Sequence, residues 1–454
     1  MTKKYFGTDG IRGTANSFPM TADIALKVAM SAAAVLRNEQ DGTHQNRVVI
    51  GKDTRLSGYM IEQAMAAGFT AMGLEVILVG PIPTPGIAIL TRSLRADMGV
   101  MISASHNPFQ DNGIKLFGAD GYKLSDELEA LIEAQIDKEI NYEDLPSADR
   151  VGQAKRLDDA TGRYIEYIKR SFPRGKTLEG LKVVVDCAHG AAYKVAPQIL
   201  WELEADVVTI GNKPNGRNIN DGFGATATKN LQEAVVENGF DIGIALDGDA
   251  DRLIVVDEKG QRIDGDQIMA LLAMYGKEQG TLRNDTVVAT VMSNLGLEKY
   301  LKANGVNLLR TPVGDRYVVE AMREGDFNLG GEQSGHLVLS DYGTTGDGTL
   351  AALQVLAVLK ESGKKASEAL SVFKPLPQVL KSVRYGDFKP LENKDILDKI
   401  ESAEKTLGET GRILVRLSGT EPVIRVMAEG EDQQFVESVV NDVCEVIEKL
   451  SKAS

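Results

Sequence analysis

Met101-Ile-Ser-Ala-Ser105-His106-Asn107-Pro108 is the stretch from which the rest of the chain is read. An apolar run, Met98 to Ile102, passes straight into a loop carrying two hydroxyls, an imidazole, an amide and a proline. The run has the pattern of a buried strand, and open α/β sheets bind ligands where their strands end. Ser105 is therefore a candidate nucleophile with His106 beside it. Taken alone, the segment reads first as a Ser/Asn/Pro turn, since serine in a strand-to-loop turn commonly serves backbone hydrogen bonding. The company it keeps separates the two readings.

A strand-helix-strand order returns three times. Val48-Val-Ile-Gly-Lys-Asp53-Thr-Arg55 opens the first copy, with a helical pattern Met60 to Ala71 and a strand Glu75 to Val79. Leu181 to Gly190 opens the second, with a helix ending at Leu203 and a strand Asp206 to Ile210. Thr286 to Val291 opens the third, with a helix Leu295 to Ala303 and a strand Val306 to Leu309. Each copy then adds a strand that ends in a polar loop: Ser103 to Pro108, Asp247-Gly-Asp249-Ala-Asp251-Arg252, and Gly331-Glu332-Gln-Ser334-Gly-His336. Right-handed crossovers put such loops at the carboxyl edges of their sheets, so inward-facing domains would share one cleft.

Asp137 to Asp158 is a charged, irregular linker, and Lys374-Pro-Leu-Pro-Gln378 is a proline-marked junction and candidate hinge. Beyond it come a helix around Lys394 to Leu407, strands Ile413 to Arg416 and Val423 to Ala428, and a helix Phe435 to Leu450. The expected architecture is α/β: three similar mixed α/β domains plus a smaller C-terminal α+β domain around a central cleft. Domain I spans 1–155, domain II 156–254, domain III 255–372 and domain IV 373–454.

A chain of 454 residues suits three or four domains. Its net charge of -14 argues against nucleic acid or an anionic membrane as partner, so an anionic small substrate needs a local cationic pocket. Two cysteines make no disulfide framework and Met1 to Gly7 is no apolar signal segment, which points to the cytoplasm. The most apolar helical stretch, Ile24 to Leu36, carries Lys27 and falls short of the ~20 residues that span a bilayer.

Asp247, Asp249 and Asp251 form a D-x-D-x-D pattern, an oxygen-rich set suited to a hard divalent cation. An EF-hand is excluded, because Arg252 takes the place of its glycine and the segment runs strand to strand. The bland alternative is a solvated acidic turn. Phe6-Gly-Thr-Asp9-Gly-Ile-Arg12-Gly offers backbone N–H groups and a guanidinium to a phosphate, or is an ordinary glycine-rich turn. Arg416, Ser418, Gly419, Thr420 and Arg425 make a better phosphate cradle, with a hairpin loop as the alternative. Glu332, Ser334 and His336 alternate along what reads as an extended segment, with groups suited to sugar hydroxyls and to a phosphate. Three of four histidines fall in strand-end loops, His189 being read as structural. Gly175-Lys176-Thr177 fails as a P-loop because Arg170 replaces the first glycine, and Gly222 to Ala227 lacks the preceding strand of a dinucleotide fingerprint.

Together, Phe6 to Gly13, Ser103 to Pro108, Asp247 to Arg252, Gly331 to His336 and Arg416 to Pro422 resemble the motifs of the α-D-phosphohexomutases, in the family's order from one end of the chain to the other. The resemblance implies an isomerase in which Ser105, rather than Ser103, carries a phosphoryl group. Ser105 and the three aspartates would hold one Mg²⁺, with Arg252 near. Lys115 matches the family's proton-transfer lysine, Arg12 and His336 match groups around the moving phosphate, and Glu332 and Ser334 match sugar-binding groups. Arg416 to Arg425 would hold the phosphate that is not reacting. Gln333 and Val313-Gly-Asp-Arg-Tyr317 point, within the family, to glucosamine phosphates, hence to glucosamine 1,6-bisphosphate as activator and intermediate and to amino-sugar nucleotide and cell-wall synthesis downstream. Mannose or glucose phosphates are the alternative substrates, and a metal-dependent sugar phosphatase or a non-catalytic sugar-phosphate sensor are the alternatives of other kinds. A homodimer is implied by the resemblance alone.

Overall fold

The computed structural model describes residues 4–7, 9–38, 46–140, 143, 145–385, 389–417 and 423–453. Three of its sheets share one strand order. Neighbouring strands run Asp111–Gly118, Met98–Ile102, Arg47–Lys52, Glu75–Pro81 in the first sheet and Leu253–Asp257, Ile242–Leu246, Lys182–Asp186, Asp206–Ile210 in the second. In the third the order is Leu337–Leu339, Leu329–Gly331, Thr286–Thr290, Asn307–Thr311. Each polar loop is therefore the tip of a hairpin, because the strand after it returns antiparallel to the strand before it.

The entering strands are central and apolar on both faces. All five residues of Met98–Ile102 and all five of Ile242–Leu246 are buried. This is the pattern of a strand covered on both sides by helices. A rigid strand thus aims each loop from the middle of its sheet.

Two expected boundaries cut through elements. Residue 155 lies within the strand Ala154–Arg156, which pairs with Glu75–Pro81 and extends the first sheet, so Asp137 to Asp158 is not wholly irregular. Residue 254 lies within Leu253–Asp257, which belongs to the second sheet as the hairpin return of Ile242–Leu246. A return strand packs with the strand that precedes its loop, and the sequence pattern alone does not show that pairing.

The chain forms two compact units, residues 1–292 with 308–372, and residues 293–307 with 373–454. The first contains the three sheets. In the second, Gln378–Arg384, Val423–Gly430 and Gly411–Leu417 form an antiparallel sheet. Helices Lys394–Leu407 and Gln433–Ala453 share its core through Ile396, Val426, Val440 and Ile447. Helix Leu295–Ala303 joins this unit, and the Asn294 side chain both donates to Leu376 O at 2.9 Å and accepts from Leu376 N–H at 2.9 Å. Among the described residues, no helix is long and apolar enough to cross a membrane.

Candidate active site

Ser105 stands just past the end of Met98–Ile102, almost fully buried, with a left-handed backbone at φ +50°. Its hydroxyl donates to Asp247 Oδ2 at 2.6 Å, and His106 Nδ1 lies 3.4 Å from Oγ. Burial, with Arg252 and Arg12 nearby, lowers the His106 pKa to about 4, so the ring is neutral at pH 7.

Asp247, Asp249 and Asp251 are all buried, and one oxygen from each lies within 4.8 Å of the others. Burial and the two neighbouring carboxylates push Asp247 well above the ordinary aspartate range. Asp251, in spite of its burial, is held well below that range by Lys115, His336 and Arg252. Oδ1 of Asp249 and Oδ1 of Asp251 have no hydrogen-bond partner among the described residues. Convergent carboxylates with unsatisfied oxygens, one of them driven toward protonation, fit a hard divalent cation.

Lys115, on the returning strand Asp111–Gly118 and 1% exposed, reaches Asp249 at 2.9 Å, Asp9 at 3.3 Å and Asp251 at 3.4 Å. Burial opposes its charge, but the three carboxylates hold its pKa well above the ordinary lysine value. His336 Nδ1 is 3.6 Å from Asp251, and its Nε2 is 3.5 Å from Asp315. Asp315 takes Lys123 at 2.5 Å, and Lys123 also pairs with Asp9, as does Arg12. Lys115, Asp251, His336, Asp315, Lys123 and Asp9 thus close a ring of alternating charge in which Lys115, Asp251 and His336 are buried and Asp9, Lys123 and Asp315 part-buried. Burial works against the imidazolium, yet Asp251 and Asp315 raise His336 to about 9. Gly346 N–H approaches Nε2 at 3.2 Å and favours the neutral ring; two carboxylates outweigh that one amide.

Arg252 N–H donates to Asp247 Oδ1 at 3.2 Å, and its backbone pairs with that of His336. Glu332 to Gly335 departs from the extended reading. The segment is a tight turn closed by Gly335 N–H to Glu332 O at 2.9 Å, because Gly335 adopts φ +96°, a conformation open to glycine. Glu332 and Ser334 still meet, Oγ to Oε2 at 3.1 Å, and Gly314 N–H donates to Glu332 Oε1 at 3.2 Å. His189 faces other work: its Nδ1 accepts Lys213 N–H at 3.1 Å and its ring packs edge-on against Phe223.

In the second unit, Arg416 and Arg425 are cross-strand partners. Burial and the neighbouring Arg425 charge lower the Arg416 pKa, a repulsion that a bound dianion relieves. Ser418, Gly419 and Thr420 lie outside the described residues. Asp9, Lys123 and Asp315 were absent from the sequence-derived site. Asp9 stood in the quoted glycine-rich motif and Asp315 in Val313 to Tyr317, but Lys123 carries no local signal.

Three repeated α/β domains whose hairpin tips gather a serine, a lysine and three carboxylates define a multidomain α/β enzyme class. Models of the phosphoglucomutase/phosphomannomutase domains match all along the chain: alpha/beta/alpha domain I at 3–143, II at 162–260, III at 264–376, and the C-terminal domain at 380–446. The chain belongs to the phosphoglucomutase/phosphomannomutase family and is an isomerase of the phosphohexomutase kind. It is 61% identical to a phosphoglucosamine mutase of Parvibaculum lavamentivorans, over 99% of each chain. It is 60% identical to one of Agrobacterium fabrum over 100% of each. Among solved structures, a phosphoglucomutase/phosphomannomutase family protein of Burkholderia thailandensis superposes with a TM-score of 0.80 at 24% identity, covering 98% of this chain and 97% of that one. An Aspergillus fumigatus N-acetylphosphoglucosamine mutase, solved with GlcNAc-6P and magnesium, gives 0.70 at 18%, covering 99% and 96%.

Proposed function

We propose that this enzyme interconverts glucosamine 6-phosphate and glucosamine 1-phosphate through phospho-Ser105 and glucosamine 1,6-bisphosphate, feeding amino-sugar nucleotide synthesis. The observation that carries the chemistry is the Ser105 hydroxyl on Asp247 at 2.6 Å, inside a buried carboxylate triad. The substrate is supported by relatives named phosphoglucosamine mutase that are 60% and 61% identical over essentially the whole chain.

Asp247, Asp249, Asp251 and the Ser105 phosphate would hold the cation, which we take to be Mg²⁺ because every ligand is a hard oxygen. When bound, it supplies charge neutralisation at the transferring phosphoryl group. The P–Oγ bond of Ser105 breaks as a bond forms from phosphorus to the sugar hydroxyl. Lys115, held cationic by Asp249, Asp9 and Asp251, gives Oγ its proton, and the proton released by the sugar hydroxyl restores the lysine. Arg12 and His336 balance the charge of the moving phosphate, Glu332 and Ser334 bind sugar hydroxyls, and Arg416 and Arg425 hold the phosphate at the far end. After the bisphosphate reorients, the reverse transfer re-forms phospho-Ser105.

The reading extends to a cytoplasmic homodimer, which sedimentation and fractionation would check. Phosphorus NMR of the enzyme with glucosamine 6-phosphate, Mg²⁺ and a trace of glucosamine 1,6-bisphosphate tests the function. Glucosamine 1-phosphate should accumulate with the native chain and not with Ser105→Ala. Turnover of glucose or mannose phosphates alone would move the substrate to the alternative named for the family's domains, and free phosphate as the sole product would make the enzyme a phosphatase.

A further inference from the structure

A left-handed backbone is unfavourable for serine, and φ +50° at Ser105 persists only because its surroundings hold it. Arg55 is the main holder. It is fully buried, and Nη2 donates to the carbonyl oxygens of Ser105 at 2.9 Å and Asn107 at 2.8 Å. Nη1 donates to Asp111 O at 3.0 Å and to Pro108 O. One guanidinium therefore gathers four carbonyls of the loop and of the strand that follows it.

The amide side of Ser105 is fixed by the same group of residues. Arg55 Nε donates to Asp53 Oδ2 at 2.7 Å, and that oxygen accepts the Ser103 hydroxyl at 2.6 Å. Ser103 Oγ in turn accepts Ser105 N–H at 3.0 Å. From the second repeat, Asn220 Nδ2 donates to Ser105 O and Asn107 O, each at 2.9 Å. Both peptide groups flanking the Ser105 side chain are thereby pinned, which leaves Oγ directed at Asp247.

We infer that Arg55, assisted by Asn220, is a positioning residue for phosphoryl transfer, holding the Ser105 backbone in the strained conformation that presents Oγ to the carboxylate cluster. The inference rests on the reading of Ser105 as the phosphoryl carrier. Asp53 matches the Arg55 charge, so what Arg55 contributes is the fork geometry of its donors rather than a field. Misplacing a reacting group by about 1 Å lowers a rate by about 100-fold.

The test is a single-turnover measurement. Enzyme loaded by prolonged incubation with glucosamine 1,6-bisphosphate is mixed with glucosamine 6-phosphate, and loss of the Ser105 phosphoryl group is followed by rapid quench. The rate constant does not depend on the fraction of active protein. Arg55→Lys, which keeps the charge and loses the fork, and Arg55→Met should both slow transfer by about 100-fold while KM stays within about twofold of native. Asn220→Ala, at a half-buried position, should slow it by about tenfold, and reports even where the Arg55 variants do not fold. A native transfer rate in Arg55→Lys, an unchanged rate in Asn220→Ala beside Arg55 variants that do not fold, or a raised KM at an unchanged rate would each overturn the positioning role. A native enzyme that transfers nothing from Ser105 would remove the phosphoserine reading, and this inference with it.

Discussion

Nδ1 of His336 lies 3.6 Å from Oδ2 of Asp251, and the same oxygen lies 3.4 Å from Nζ of Lys115. One carboxylate of the candidate metal cluster thus couples the third hairpin tip to the second and to the return strand of the first. Asp251→Asn would remove an acidic ligand and leave the Lys115 and His336 charges without their common partner. It should weaken divalent binding and lower kcat by about 10–100-fold each. Calorimetric Mg²⁺ titration beside steady-state kinetics reads both. Unchanged affinity would take Asp251 out of the metal set.

Lys123 neutralises Asp9 and Asp315 at once. Lys123→Met would leave Asp9 with Lys115 and Arg12 and Asp315 with His336 alone, and should lower the thermal midpoint. Asp315→Asn on its own strands part of the Lys123 charge. The double variant should therefore lose less thermal stability than the sum of the two, and additive midpoints would show that the pair is not coupled.

Gly335 carries the turn of the loop proposed to bind the sugar. A Cβ there would stand 2.1 Å from Leu253 O at a φ of +96°. Gly335→Ala should force the turn off Leu253, displacing Glu332 and Ser334 and raising KM for the sugar phosphate by about tenfold or more. A native KM in a folded variant would contradict the role given to this turn.

Asp186 accepts Ala188 N–H at 2.9 Å and Gly224 N–H at 2.7 Å, yet burial lifts its pKa from 3.8 to about 6. A carboxyl raised in the folded state contributes stability that is fully present below the unfolded value and is lost as pH rises through the folded one. The native chain should therefore lose roughly 2–3 kcal/mol from this group between about pH 4 and pH 7. The melting midpoint of Asp186→Asn relative to native should rise over that window. A constant difference would mean that Asp186 is ionised throughout.

Much of the scaffold was legible for simple reasons. Met98–Ile102 is apolar at every position because both faces are covered, and Leu295–Ala303 begins where Asn294 caps it by accepting Gly296 N–H at 2.8 Å. The aspartate triad was legible because its members are two residues apart. The charged ring was not, because Asp9, Lys123 and Asp315 are brought together only by tertiary structure. Arg55 gave no signal beyond closing the segment that opens the first repeat, since its partners at Ser105, Asn107 and Asp111 lie about fifty residues on. Alternation at Glu332, Ser334 and His336 suggested an extended strand, and a single positive φ at Gly335 turned it into a hairpin tip.

In the proposed mechanism Ser105 carries the phosphoryl group that moves. Enzyme labelled with isotopic phosphate from the bisphosphate should yield one labelled peptide containing Ser105. On adding unlabelled glucosamine 6-phosphate, that label should pass stoichiometrically into the sugar phosphates. Label on another residue, or its release as inorganic phosphate instead of transfer to sugar, would contradict the account.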